Sequence, residues 1–283
     1  MDLSIVIPAF ERTQHLKATI NRLEVNAVRH PEIEFETIII NGNSEEHLIT
    51  AYLNHKINNT QLKMKHLFCN FGKWVNPSLP RNIAFKYATG DIYTMIDIDH
   101  YVGEDFILGA IQPWIDDDIA APILNYGFMI DTNEARRAPT NAINKVLLNV
   151  EHSGKIELIK FCNNVGIPVS KPVSPWLLSY PAWAFNGIGG YDEDLTGWGR
   201  EDDMFYLMLK AVGLHEIKDC YKTFCGLHLN HSKGGINGIR DVRQNHGVFM
   251  AKKNNLSFAI KINKDKKLGV VPSNIKFWEK SNY

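Results

Sequence analysis

The feature that most constrains this chain is a series of short, β-branched apolar runs, each closed by a proline, glycine or polar cluster and each followed by apolar residues at helical spacing. Ser4-Ile5-Val6-Ile7 stops at Pro8, and from Thr13 onward Leu16, Ile20 and Leu23 recur three or four positions apart. That spacing predicts strand, loop, helix. Phe35 to Ile40 reads as a second strand ending in the turn cluster Asn41-Gly42-Asn43-Ser44, after which Leu48, Ile49, Tyr52 and Leu53 mark another helix. Met64 to Phe68 is a third strand, Arg81 to Ala88 a helix stopped by Gly90, and Ile92 to Ile96 a fourth strand running into Asp97-Ile98-Asp99. Strands this apolar, separated by helices, imply an α/β fold whose parallel sheet is covered on both faces and binds ligands at the strands' carboxyl ends. Asn41 to Ser44 and Asp97 to Asp99 both fall at such ends.

Beyond residue 115 the pattern loosens. A strand is expected over Ile119 to Ile130, helical stretches near 140 to 162, a loop from Pro168 to Pro181, and a helix from Glu201 to Val212 ended by Gly213. The 283 residues are 45% apolar and 22% charged, enough to bury a sizeable core, and no low-complexity linker divides them. Lysine plus arginine equal aspartate plus glutamate at 31 each, so no overall field draws the chain to nucleic acid or an anionic membrane. The local exception is the end of the chain, where Lys252, Lys253, Lys261, Lys264, Lys266, Lys267, Lys276 and Lys280 face only Asp265 and Glu279. It reads as a solvated, partly flexible end, the alternative being contact with an anionic acceptor or lipid headgroups. Met1 runs straight into the short apolar run Ser4 to Pro8, so a secretory signal is not expected, and no stretch approaches the roughly 18 to 20 apolar residues of a membrane span. The expected location is cytoplasmic, with peripheral attachment to a membrane as the variant. Cys69, Cys162, Cys220 and Cys225 are too scattered for a disulfide framework and read as reduced, mostly buried thiols.

Three constellations carry chemistry. Asp97-Ile98-Asp99-His100 ends an apolar strand, where two carboxylates are costly unless a cation or donors await them. On a strand, positions i and i+2 share a face, so both could approach one divalent ion. Alone, a D-x-D triplet is common in proteins of many kinds. The second constellation runs from Gly187 to Asp203 and contains Gly189, Gly190, Gly197, Trp198, Gly199, Arg200, Glu201 and Asp202. Its glycines let backbone approach a ligand closely, and an indole between two glycines suits a sugar ring better than a core. Carboxylates opening a helix are also favoured by its dipole, which accounts for Glu201 and Asp202 but not for the Gly-Trp-Gly before them. The third is His228-Leu229-Asn230-His231-Ser232-Lys233, after a strand-like stretch, where either histidine is a structural residue or a metal ligand.

Together these residues resemble the GT-A glycosyltransferases of glycosyltransferase family 2 and, in the second half, the galactosyltransferase and polypeptide N-acetylgalactosaminyltransferase-like branch. The likeness spans roughly residues 3 to 235. It starts at Ser4 to Arg12, continues through Pro80-Arg81-Asn82, and is sharpest at Gly189-Gly190-Tyr191-Asp192-Glu193 followed by Gly197-Trp198-Gly199-Arg200-Glu201-Asp202. The resemblance implies a GT-A domain over residues 1–250, divided into a nucleotide-sugar half (1–115) and an acceptor and metal-completing half (116–250), with a basic extension over 251–283. It places Pro8, Ala9, Phe10, Arg12, Asn41, Asn43, Asp97 and Ile98 along the nucleotide-sugar, and Arg81 against the uracil or diphosphate. It makes Asp99 a direct ligand of Mn2+ or Mg2+, with Asp97 near ribose or metal and His228 or His231 completing the site. The His-Ser-basic order favours His231. Trp198, Gly199, Glu201 and Asp202 would hold the acceptor, Asp202 also being the base and Glu201 its catalytic neighbour.

One departure stands out, because the family's acidic pair after the second strand is replaced here by Asn41-Gly42-Asn43, which can hydrogen-bond a base or ribose only without charge. The implied activity is metal-dependent transfer from UDP-Gal, UDP-GalNAc, UDP-Glc or UDP-GlcNAc to an acceptor hydroxyl of a carbohydrate or glycoconjugate, with inversion, in glycan or polysaccharide synthesis. The rival readings are a transferase that glycosylates nucleic-acid bases and a non-catalytic GT-A-shaped binding protein. The balanced net charge weighs against the first, and the retention of Asp99 and Asp202 against the second.

Overall fold

The computed structural model describes residues 2–42, 47–69, 71, 76–115, 123–126, 128–132, 177–196, 199–217, 223–229, 242–266, 269–270 and 277–281. Strands β1 (Leu3–Ala9), β2 (Phe35–Asn41), β3 (Lys63–Cys69) and β4 (Ile92–Met95) alternate with helices α1 (Thr13–Arg29), α2 (Leu48–Lys56) and α3 (Ser78–Phe85). β1 pairs in parallel with both β2 and β4, and β2 with β3. Every residue of β2 is buried, as a strand covered on both faces requires. α1 turns Leu16, Ile20 and Leu23 toward the core and brings Thr19 Oγ1 to the carbonyls of Ile98 and His100, which fastens the turn after β4.

The later chain completes the sheet. β5 (His100–Val102) is followed by α4 (Phe106–Ile115), β6 (Ile123–Tyr126), β7 (Phe128–Thr132), β8 (Leu178–Pro181), α5 (Ala182–Ile188), α6 (Glu201–Ala211), β9 (His215–Ile217), β10 (Cys225–Leu229), α7 (Val242–Lys253), α8 (Leu256–Asp265) and β11 (Phe277–Ser281). The main sheet has the order β11-β3-β2-β1-β4-β8-β6-β9, and a second sheet has the order β5-β10-β7. One apolar cluster packs α1, α2 and α4 on the strands and a second packs α3, α5 and α6.

Four sequence expectations change. The single strand expected over 119 to 130 is two strands in different sheets, β6 and β7, and residues 119–122 lie outside the described set. The loop expected up to Pro181 ends in β8, which pairs antiparallel with β4, while 168–176 and the helical stretches near 140 to 162 are outside the described residues. α3 begins at Ser78, three residues before the expected start, because its Ser78, Pro80, Arg81, Asn82 and Ile83 are all buried and belong to one packed turn. The lysine-rich end is not a free tail: α7 runs across the expected boundary at residue 250, and β11 pairs antiparallel with β3. Its charge is compensated from outside the segment, since Lys252 meets Asp192 and Asp194, and Lys266 meets Asp194. Cys69 and Cys225 are free and buried; Cys162 and Cys220 fall outside the described residues. Among the described residues, no helix is long and apolar enough to cross a membrane.

Candidate active site

The carboxyl ends of β1, β2 and β4 meet because the parallel register sets Ala9 opposite Asn41 and Val6 opposite Met95. β4 stops at Met95, so Asp97, Ile98 and Asp99 form a turn rather than a strand extension. The same-face rule for i and i+2 therefore does not hold, and the two aspartates part company. Asp97 stays 28% exposed and accepts from Arg81 Nη2 at 3.3 Å. Asp99, 2% exposed, accepts from Arg12 Nη1 at 2.6 Å, and its Oδ1 lies 3.5 Å from His228 Nε2. Ile98 between them packs into the apolar core.

Strand pairing explains the histidine's arrival, since β10 runs antiparallel to β5 with His228 opposite His100. Asp99, His100 and His228 each offer one ligand atom, and those atoms lie within 4.8 Å of one another. The oxygen and imidazole donors of Asp99 and His228 fit manganese or magnesium chemistry, the nitrogen favouring the former. His100 is different. Its Nδ1 accepts the N–H of Asp97 at 3.1 Å, which leaves the ring proton on Nε2, 3.7 Å from Asp97 Oδ2. Burial keeps this ring below the ordinary imidazole range, against the pull of Asp97 and Asp99, so it is neutral and holds the turn together. His231 lies outside the described residues.

The second centre is a guanidinium among carboxylates. α3 carries Arg81 inward, where Nη1 donates to Asp202 Oδ1 at 2.8 Å and lies 4.0 Å from Glu201 Oε1. Its Cζ sits 5.0 Å above the Tyr191 ring. Burial opposes the charge on Arg81, but Asp202 and Asp97 more than offset it and raise its pKa. Glu201 and Asp202 open α6, both pushed upward by burial. For Glu201 the neighbouring Asp202 charge adds to burial and brings the group to about 8, so it holds its proton at neutral pH. At Asp202 the Arg81 guanidinium opposes burial, which still raises the group.

The loop before α6 is set by Asn82, the neighbour of Arg81. Its Nδ2 donates to the Tyr191 carbonyl and to Glu193 Oε1, while its Oδ1 accepts the Tyr191 N–H. Gly190 is required there: its φ is +80°, and a Cβ would come within 2.6 Å of Asn82 Oδ1. Tyr191 then stacks on Phe205 of α6 with ring centroids 3.8 Å apart.

The remaining expected residues scatter. Pro8 and Ala9 end β1, and Phe10 follows, close to Gly42, whose N–H donates to the Ala9 carbonyl. Asn41 is fully buried, its amide donating to Thr50 Oγ1 and meeting His66 Nε2. Asn43 and Trp198 are outside the described residues; Gly199, with φ +93°, leads into α6. The sequence reading gave no role to His100 or Tyr191, although His100 adjoins Asp99 and Tyr191 adjoins the glycine pair.

Residues 4–165 match the family model described as glycosyl transferase family 2, more than half of the chain. This chain belongs to glycosyl transferase family 2. It is 26% identical over 110 residues to a poly(ribitol-phosphate) beta-N-acetylglucosaminyltransferase, TarS, of Staphylococcus aureus, across 39% of this chain and 18% of that protein. It is 24% identical over 228 residues to a validoxylamine A glucosyltransferase of Streptomyces hygroscopicus subsp. limoneus, across 75% of this chain and 48% of that protein. The chain thus spans less than half the length of the curated relatives it matches. In fold it is similar to the mannosyltransferase PcManGT of Pyrobaculum calidifontis, a structure in complex with GDP-Man and Mn2+, with a TM-score of 0.50, 11% identity and coverage of 93% of this chain and 72% of that one.

Proposed function

We propose that this family 2 member is a metal-dependent glycosyltransferase that moves a sugar from a UDP-sugar donor to an acceptor hydroxyl with inversion, using Asp202 as the base. The observation that supports it is the bridge made by Arg81, which ties Asp97, at the end of the nucleotide-side strand, to Asp202, at the start of α6. Donor-side and acceptor-side carboxylates thereby share one guanidinium. Inversion needs a base that takes the proton from the attacking hydroxyl, and burial moves Asp202 toward the hydroxyl's own affinity for that proton while Arg81 keeps it oriented. Protonated Glu201 beside it is a donor that can hydrogen-bond a sugar hydroxyl without adding a second negative charge.

Asp99 and His228 would hold the cation, Mn2+ or Mg2+, with His231 a further candidate ligand from the same segment. When bound, such an ion neutralises the charge of a departing diphosphate. Arg12, bonded to Asp99, places a further positive charge at the same edge of the site. Pro8, Ala9, Phe10 and Arg12 remain the residues proposed along the nucleotide, and Gly199 with Trp198 those along the acceptor.

A panel of nucleotide-sugars incubated with the protein and Mn2+ tests the reading. The expected result is UDP release from one or more UDP-sugars that stops on chelation, and a glycoside of inverted anomeric configuration by NMR once an acceptor is supplied. Turnover that is indifferent to chelation would remove the metal, and a retained configuration would remove Asp202 from the role of base.

A further inference from the structure

Helix α7 and the loop that delivers Glu201 and Asp202 both lie beyond residues 4–165 matched by the family model, and one stripe of α7 grips that loop. Asn245 is 1% exposed, and its Nδ2 donates to the Gly199 carbonyl at 2.9 Å. One turn later Phe249 lies beneath Arg200, whose Cζ is 5.2 Å from the ring centroid. One turn further Lys252 Nζ reaches Asp192 Oδ2 at 2.6 Å and Asp194 Oδ2 at 2.7 Å. Positions i, i+4 and i+7 of a helix share a face, so these are a single continuous contact.

The segment it grips is under conformational tension. Gly199 has φ +93° and Arg200 φ +75°, and only the first is a residue at ease there. Arg200 is the N-cap of α6 and makes no side-chain capping bond, so its left-handed backbone alone sets the angle at which Glu201 and Asp202 leave the loop. A strained residue persists where its surroundings over-determine it. Here the peptide oxygen before Arg200 goes to Asn245, and the Arg200 side chain goes to Phe249 and to Asp203 Oδ2 at 2.8 Å. Simple helix packing accounts for Phe249, which belongs to the apolar core, and charge pairing accounts for Lys252. Neither accounts for a buried amide aimed at a loop carbonyl 46 positions away.

We propose that Asn245, with Phe249 beneath Arg200, is a positioning residue for the Glu201–Asp202 pair, so that a helix beyond the family's matched region sets the geometry of the base without touching the donor. The inference rests on the reading of Asp202 as base. Asn245→Asp keeps the shape but turns the donor into an acceptor facing the Gly199 carbonyl, and Phe249→Leu keeps apolar volume but removes the ring under Arg200. In the full chain, the measurements are hydrogen exchange over residues 199–204, calorimetric affinity for UDP with Mn2+, and UDP release from the UDP-sugar that the wild type uses. A lost hydrogen bond of this kind shifts an equilibrium by about tenfold. Exchange in the loop should therefore quicken about tenfold in Asn245→Asp and about two- to fivefold in Phe249→Leu, where a cation–π contact is lost, with turnover falling by similar factors while UDP affinity and donor KM stay within about twofold. Unchanged exchange in both variants overturns the positioning role, as does UDP affinity that falls in step with turnover. A wild type that releases UDP from no UDP-sugar sinks the proposed function instead, and the exchange measurement still decides whether α7 holds the loop.

Discussion

The two acid-bearing loops of the site are built in opposite ways. The turn carrying Asp97 and Asp99 follows a sheet strand and partly closes on itself: His100 takes the Asp97 N–H through its ring and gives its own N–H to the Asp97 carbonyl, while Thr19 of the first helix ties down the carbonyls of Ile98 and His100. The loop carrying Glu201 and Asp202 has no sheet strand directly before it and is held by other elements. Asn82 reaches it from α3, Asn245 and Lys252 from α7, Asn263 from α8 through the Gly190 carbonyl, and the Gly269 N–H through Glu193. A turn at the end of a buried strand inherits its place from the sheet. A glycine-rich loop inherits nothing and has to be fixed by whatever packs on it, which is why polar groups from four other parts of the chain converge there.

The largest expected effect sharpens the contrast by disabling one loop and sparing the other. Asp202→Asn keeps shape and can still accept from Arg81 through its amide oxygen, but it cannot take a proton. A positioned base contributes about a hundredfold to ten-thousandfold in rate, or roughly 3 to 5 kcal/mol of barrier. Turnover should fall within that range, while calorimetric UDP affinity in Mn2+, which the proposed function assigns to the other loop, stays as in the wild type. Equal loss of both would mean that the loops are one mechanical unit.

Arg81→Met attacks the link between them. It leaves Asp202 and buried Glu201 without the cation that faces them, and removing one partner of a buried ion pair costs about 3 to 5 kcal/mol. A lower melting temperature is expected together with the loss of activity. Because burial and the charges of Asp97 and Asp203 then act on Asp202 unopposed by Arg81, its carboxyl should titrate at higher pH, which carbon-13 NMR of labelled aspartate would read. A variant as stable as the wild type would show that the carboxylates are solvated and that Arg81 bridges nothing of consequence.

These residues also show what could be read before the structure. The strand–helix order, the D-x-D turn and the Glu-Asp helix start were legible because each is written in consecutive residues. The partners of Lys252 and Lys266 were not, since Asp192 and Asp194 lie 58 or more positions earlier and local sequence shows only an excess of lysine. The division of Asp97 from Asp99 was hidden for another reason: the strand ends two residues before the motif, and period-two reasoning lapses with it. His228 was already a candidate from its place after a strand-like stretch, but its register opposite His100 comes from an antiparallel pairing that no local pattern announces.

A smaller effect probes how tightly the distant loop is drawn in. Gly190→Ala would force an L residue into φ +80° and push a methyl to within 2.6 Å of Asn82 Oδ1. The conformation alone costs about 1 to 2 kcal/mol, and displacing Asn82 adds the loss of its bonds to Tyr191. The melting temperature should drop by a few degrees with UDP affinity preserved. No change would mean that the loop can shift away from α3 freely.

One further effect vanishes in acid. Burial first, then the charge of Asp202, lifts Glu201 from an ordinary 4.5 to about 8. The sign follows from proton counting: between those two values the unfolded chain has lost the proton that the folded chain keeps, so the native state binds more protons and loses stability as pH rises. Below about 4.5 both states are protonated and the group contributes nothing to the slope. Glu201→Gln imitates the protonated carboxyl at every pH. Wild type and variant should therefore melt alike near pH 4.5, separate progressively up to about pH 8 with the variant the more stable, and run parallel beyond it. Thermal melts across that range measure the separation. Curves that stay parallel from pH 4.5 to 8 would place Glu201 in contact with water and ionised, and the acid-bearing loop would then be open where the contacts from α3, α7 and α8 close it.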